Sequence, residues 1–115
     1  MLSGKRIFIT GGAGFIGSNL AKLLLPTNEI ATYDNYDRDA SKTVLGEDLK
    51  KIKLYRGDVM DGDALMNAVK EFKPTHVVHC AAVAGIDTVR LKPVSTLEIN
   101  TLGTINLLRA TQAVA

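Results

Sequence analysis

Disulfide chemistry is closed to this chain, because its 115 residues hold a single cysteine, Cys80. One thiol fits a reducing compartment. No apolar run approaches the ~18 residues that a membrane span requires. Charge of one sign is also missing: 14 basic against 12 acidic residues leave a net charge of +2, with no basic stripe. That removes the electrostatic case for nucleic acid. Repeats and low-complexity segments are absent too. The first residues run directly into a strand pattern, leaving no room for a signal peptide, so a soluble cytoplasmic protein is expected. What remains is ordinary for one globular domain, with 46% hydrophobic and 23% charged residues.

The informative stretch lies near the N-terminus, from Ile7 through Gly11-Gly12-Ala13-Gly14-Phe15-Ile16-Gly17. An apolar β-branched run over Arg6 to Thr10 predicts a buried strand, and the residues after the glycines predict a helix stopped by Pro26. Gly11 allows a tight exit from the strand, Gly14 leaves the backbone open to a pyrophosphate, and Gly17 permits close packing of the helix. The amides around Phe15 and Ile16 would face the phosphates at the positive end of the helix dipole. The spacing is Gly-x-x-Gly-x-x-Gly, which differs from the ordinary Gly-x-Gly-x-x-Gly. In this strand-turn-helix setting, phosphate binding is the expected function.

The rest of the chain alternates. The first helix is expected over Phe15 to Leu25, with Phe15, Ile16, Leu20, Leu23 and Leu24 facing inward. A second strand covers Glu29 to Tyr33 and ends in Asp34. The polar stretch from Asn35 to Asp48 reads as a loop, with a short helix around Ala40 to Leu45. Ile52 to Arg56 is a third strand, and Asp61 caps a helix that runs through Phe72. Thr75 to Cys80 is a fourth strand and Ala81 to Lys92 a loop. Pro93 then opens a final helix over Val94 to Ala113, with Leu97, Thr101, Thr104, Leu107 and Leu108 along one side. Alternating strands and helices imply an α/β fold, half of a doubly wound parallel sheet with strand order 3-2-1-4. No fifth strand follows to cover the fourth. That edge is expected to meet another chain, or the sequence to be part of something longer.

Asp34 follows Gly17 by 17 residues, close to the ~20-residue offset of a ribose-binding acid. A carboxylate there accepts the adenosine ribose hydroxyls and repels a 2′-phosphate, which favours NAD over NADP. Two other readings stay open: Asp34 as a turn aspartate, and Arg38 as a partner for a 2′-phosphate. Asp58 sits where such a fold offers an acid to the adenine amine, with Val59 against the ring, although spacing alone equally suits a turn aspartate. His76 and His79 are three apart, on opposite faces of a strand, so no metal site is expected and both read as structural. Cys80 reads as a small buried hydrophobe. Ala81 and Ala82 are small residues at the carboxyl end of the fourth strand, where a nicotinamide ribose would pass. Asn100 is a polar residue in an apolar helix.

Taken in order, the glycine turn, Asp34, Gly57-Asp58-Val59, His79-Cys80-Ala81-Ala82 and Asn100 through Leu108 resemble the NAD-dependent epimerase/dehydratase family. This is the extended branch of the short-chain dehydrogenase/reductases, and nucleotide-sugar 4-epimerases are the nearest look-alikes within it. The resemblance covers essentially the whole chain. It implies a Rossmann-like domain over residues 1–115 with NAD as cofactor and a nucleotide-sugar substrate for the complete enzyme; a homo-oligomer is expected from the exposed edge of the fourth strand and the last helix. It assigns Gly11, Gly14 and Gly17 to the pyrophosphate, with amides from Phe15 and Ile16. Asp34 goes to the ribose, Asp58 and Val59 to adenine, Ala81 and Ala82 to the nicotinamide ribose, and Asn100 to the active site. The family's acid-base pair, Tyr-x-x-x-Lys, has no counterpart here: four residues beyond Tyr33, Tyr36 and Tyr55 stand Asp37, Ala40 and Val59. The family's remaining strands and its C-terminal substrate domain are missing as well. These residues are therefore expected to be the NAD-binding portion of such an enzyme, inactive alone. The alternatives are a free-standing NAD-binding module and an inert fragment.

Overall fold

The computed structural model describes residues 1–115. β1 (Arg6–Thr10) is the buried centre of the sheet, with Ile7, Phe8, Ile9 and Thr10 all shielded from solvent. A strand covered on both faces reads as a continuous apolar run, without alternation, and this one does. It is followed by α1 (Phe15–Leu24) and a short 3₁₀ turn at Leu25–Thr27. β2 (Glu29–Asp34), α2 (Ser41–Leu45) and a second 3₁₀ turn at Gly46–Lys51 come next. The chain continues through β3 (Lys53–Arg56), α3 (Gly62–Phe72) and β4 (His76–His79). It closes with α4 (Ile86–Leu91) and α5 (Pro93–Gln112).

All strand pairs are parallel, in the expected order β3-β2-β1-β4. The register pairs Phe8 with Ala31 and Val77, and Tyr33 with Tyr55. Successive side chains on each strand go to opposite faces and feed two cores. Ile7, Ile9 and Ile30 pack with Ala21, Leu24, Leu45 and Ile52 under α1 and α2. Phe8, Ala31 and Tyr33 pack with Leu65, Val69, Phe72 and Leu107 under α3 and α5. The cap expected at Asp61 is present: its Oδ1 accepts the Ala64 amide at 3.1 Å. At the other end of α3, Lys73 takes a left-handed conformation (φ 54°) and returns its N–H to Val69.

Three expectations are corrected. Ile86–Leu91 is a helix inside the stretch expected to be a loop. The inward face of α1 consists of Gly17, Ser18, Ala21 and Leu24, whereas Phe15 and Ile16 are each 73% exposed and Leu23 is exposed as well. The inward face of α5 is Thr96, Gly103, Leu107 and Ala110, so Leu97 and Leu108 point to solvent. In both helices the small residues face inward, because these helices lie close to what they cover. Replacing the wholly buried Leu65 with Ala should lower unfolding free energy by about 2–5 kcal/mol. Leu23→Ala, on the open face of α1, should change it by less than about 0.5 kcal/mol. Urea denaturation of both variants checks the pair.

Candidate cofactor-binding site

All four strands end on one side of the sheet, and a crevice of about 670 Å³ opens there. Parallel sheets bind ligands at this end. Gly11, Gly14, Phe15, Asp34, Asp58, Val59, Ala81 and Ala82 all line it. Ile16, Gly17 and Asn100 lie outside the lining.

The turn after β1 is built on Gly11, which has φ +67° and donates its N–H to the Tyr33 carbonyl at 2.8 Å. A Cβ at Gly11 would sit 2.6 Å from the Ala81 nitrogen, so only glycine fits between the exits of β1 and β4. The Gly14 amide folds back onto the Gly11 carbonyl at 3.1 Å. At Gly17 a Cβ would overlap the Gly11 carbonyl, so this glycine packs the helix against the turn itself, where the sequence suggested the strand. Gly14 is the N-cap of α1 and carries no side-chain cap, and the amides of Phe15 and Ile16 start the helix without a partner in the chain. These donors suit an anion.

Asp34 ends β2 and joins two backbone segments. One carboxylate oxygen accepts the Ala13 amide at 2.9 Å and the other the Tyr36 amide at 2.7 Å. Each oxygen keeps further acceptor capacity, so a pair of ligand hydroxyls can be accommodated. Arg38 lines the same crevice, with Asp37 and Asp39 beside it. Asp58 also lines the wall, and it forms a turn as well: its Oδ1 accepts the Met60 amide at 2.9 Å. The turn that spacing suggested for Asp58 is therefore present. Val59 is buried under α5, where Gly103 leaves room for it; a Cβ there would come within 2.7 Å.

On the far side, Ala81 gives its N–H to Thr10 Oγ1 at 3.3 Å. The Asn100 amide is engaged at both ends, its Oδ1 accepting from the Val83 N–H at 2.7 Å and its Nδ2 donating to the Val83 carbonyl at 3.1 Å. Asn100 thus clamps the loop after β4 to α5. Cys80 lines the crevice half-buried, and burial pushes its thiol pKa up.

Tyr33 is the residue that motif reasoning missed. Its hydroxyl donates to the Asp58 carbonyl at 2.9 Å, and its ring fills the space that a Cβ on Gly57 would need. Burial, reinforced by Asp61 and Asp58, pushes the phenol to about 12, so it remains a donor. Period-two alternation from Ala31 was the available signal, since it places Tyr33 on the face of β2 that meets this loop.

The family model for the NAD-dependent epimerase/dehydratases matches residues 7–115. The chain belongs to that family. Family members similar to it include the dTDP-D-glucose 4,6-dehydratase of Dictyostelium discoideum, 37% identical over 90% of this chain and 25% of that protein. The UDP-glucose 4-epimerase of Thermus thermophilus, crystallised with NAD, superposes with a TM-score of 0.82 at 37% identity, over 95% of this chain and 34% of that one. The Bordetella bronchiseptica enzyme WbmG, crystallised with NAD and UDP, gives 0.81 at 36% identity, over 97% and 35%. The chain thus spans about a quarter to a third of the length of the relatives it matches.

The contact between Tyr33 and Gly57 predicts a specific coupling. Tyr33→Leu and Gly57→Ala should each destabilise, and the double variant should be less impaired than their sum by about 0.5–3 kcal/mol. Denaturation of the four proteins measures this, and strict additivity would contradict it.

Proposed function

We propose that this domain binds NAD across the crevice and forms the cofactor-binding portion of a nucleotide-sugar epimerase or dehydratase. The observation that carries the reading is convergence. Partnerless helix-opening amides, a fixed carboxylate, an apolar wall and two alanines meet around one cavity of about 670 Å³. That size lies within the ~300–1,000 Å³ of small-molecule sites. The fit is supported at Gly14, where an added Cβ would meet only the Gly11 carbonyl, leaving the pyrophosphate side clear.

In this reading Gly11, Gly14 and the amides of Phe15 and Ile16 hold the pyrophosphate, with Gly17 supporting the turn. Asp34 accepts the adenosine ribose hydroxyls, Asp58 and Val59 hold adenine, and Ala81 and Ala82 flank the nicotinamide ribose. Bound NAD supplies a reversible hydride acceptor, the chemistry behind epimerisation or dehydration through a keto sugar. Asn100 contributes as the clamp of the nicotinamide-side loop, beside its family role in the active site. The 115 residues contain no Tyr-x-x-x-Lys. General acid-base catalysis is worth ~10²–10⁴-fold, so these residues alone bind NAD but do not turn over sugar at a useful rate.

The reading includes self-association. α5 turns Val94, Leu97, Ile105 and Leu108 outward while burying its opposite side, and a helix that is apolar on two sides calls for a second contact. No helix is long and apolar enough to cross a membrane. The lone free thiol, Cys80, agrees with a reducing, cytoplasmic setting.

Calorimetric titration of the chain with NAD, and with NADP in parallel, should give saturable binding that is tighter for NAD. Asp34→Ala should weaken NAD by about 1–3 kcal/mol and narrow the preference. A folded wild-type chain that binds neither nucleotide would overturn the proposal.

A further inference from the structure

One imidazole connects the two sides of the crevice. His79, the last residue of β4, is half-buried between β1 and α5. Its Nδ1 lies 2.6 Å from Thr10 Oγ1 and its Nε2 lies 3.2 Å from Thr104 Oγ1. The hydrogens on this chain can be assigned by counting donors and acceptors. The Thr104 hydroxyl donates to the Asn100 carbonyl at 2.8 Å, so it can only accept from His79. Nε2 therefore carries the proton. Nδ1 is then an acceptor, and the Thr10 hydroxyl donates to it. That leaves the Thr10 oxygen free to accept the Ala81 amide at 3.3 Å. Every donor has one acceptor, and the direction runs from Ala81 through Thr10, His79 and Thr104 to Asn100. The other tautomer would leave the Thr10 hydroxyl hydrogen without an acceptor and break the bond from Thr104 to Asn100.

We propose that His79 is a positioning residue for the crevice: as a neutral, Nε2-protonated imidazole it sets the separation of β1 and α5, and with it the Ala81–Val83 loop. Thr10 leads directly into the Gly11 turn, and Asn100 holds Val83, so both ends of the chain terminate on the crevice. Protonation would put a second donor on the imidazole, facing a Thr10 hydroxyl that already donates to it. Thr10 would have to turn its hydrogen away from the ring, leaving that hydrogen without an acceptor.

The groups that face the ring nitrogens are Thr10 from β1 and Thr104 from α5, both uncharged. Burial alone lowers the His79 pKa below its ordinary 6.5, with no carboxylate near enough to offset it. Asp34, Asp37 and Asp58 line the crevice without touching the imidazole, and burial moves the neighbouring Cys80 thiol upward, away from this range.

The inference rests on the crevice being the NAD site, and its test separates the two. Long-range ¹H–¹⁵N spectra of the labelled full chain without nucleotide should show His79 as the Nε2–H tautomer at neutral pH. An Nδ1–H form, or the averaged signal of a free imidazole, would overturn the proposal. NAD titrations carried from above to below pH 6.5 should then weaken by up to about tenfold per pH unit under the His79 pKa. His76→Gln, at the exposed histidine of the same strand, should keep that slope, and His79→Gln should flatten it. NAD binding in the wild type that ignores pH, or a slope that survives His79→Gln, would overturn the role of His79 alone. No NAD binding at any pH would overturn the reading of the crevice and the inference with it. If His79→Gln does not fold, the wild-type tautomer and slope, with His76→Gln as reference, decide.

Discussion

The arrangement depends on one close approach. At Gly11 the chain leaves the central strand, and its Cα lies against the backbone of Cys80 and Ala81 as they leave β4. The same residue donates to Tyr33 at the exit of β2. Three strand ends are thus gathered at a residue with no side chain. A methyl group here would wedge β1 from β4 and, at φ +67°, would also be strained. The crevice exists because the strands end together while the turn stays thin.

The fold was legible because its signals are local and strong. The apolar run at Ile7–Thr10, the glycine spacing, the Asp61 cap and Pro93 gave the element order and its sheet topology. Asp34 was readable as the residue that ends β2, and it stands there between two backbone amides, as a turn aspartate does. What failed was the assumption that the most apolar side chains face inward. On α1, Ser18 and Ala21 are buried while Phe15 and Ile16 are out, and on α5 Gly103 is buried while Leu97 is out. Hydropathy measures transfer from water, but interhelical distance is set by volume. Where Gly17 touches the Gly11 carbonyl and Gly103 receives Val59, a large residue has no place however apolar it is. The short α4 was missed for another reason: Ile86–Leu91 holds too few turns for a periodic pattern to emerge.

The site's support was far less legible, since it consists of side chains meeting backbone across long sequence separations. Tyr33 reaches Asp58, Asn100 reaches Val83, and Asn106 reaches the Val59 carbonyl at 2.9 Å. Each lies in a helix or strand where its own neighbours give no hint of its partner. Together they leave no buried side-chain polar atom without a hydrogen bond. Loops that would otherwise be mobile are fixed to the two helices and the sheet, so the crevice walls are largely pre-formed.

A sheet with only parallel neighbours also constrains how the chain reaches this state. No two strands can be joined by a hairpin, because each ladder needs a crossover. Arg6 meets Glu29 across 23 residues, and Thr10 meets His79 across 69. Threefold more chain adds only roughly 1 kcal/mol of closure entropy, so β4 is not much disfavoured by distance alone. What β4 needs is a formed edge of β1, the one strand it pairs with, and the crossover through α3 that brings it there. The Ala81–Val83 wall of the crevice therefore depends on that edge, while the glycine turn and Asp34 need only β1 and β2.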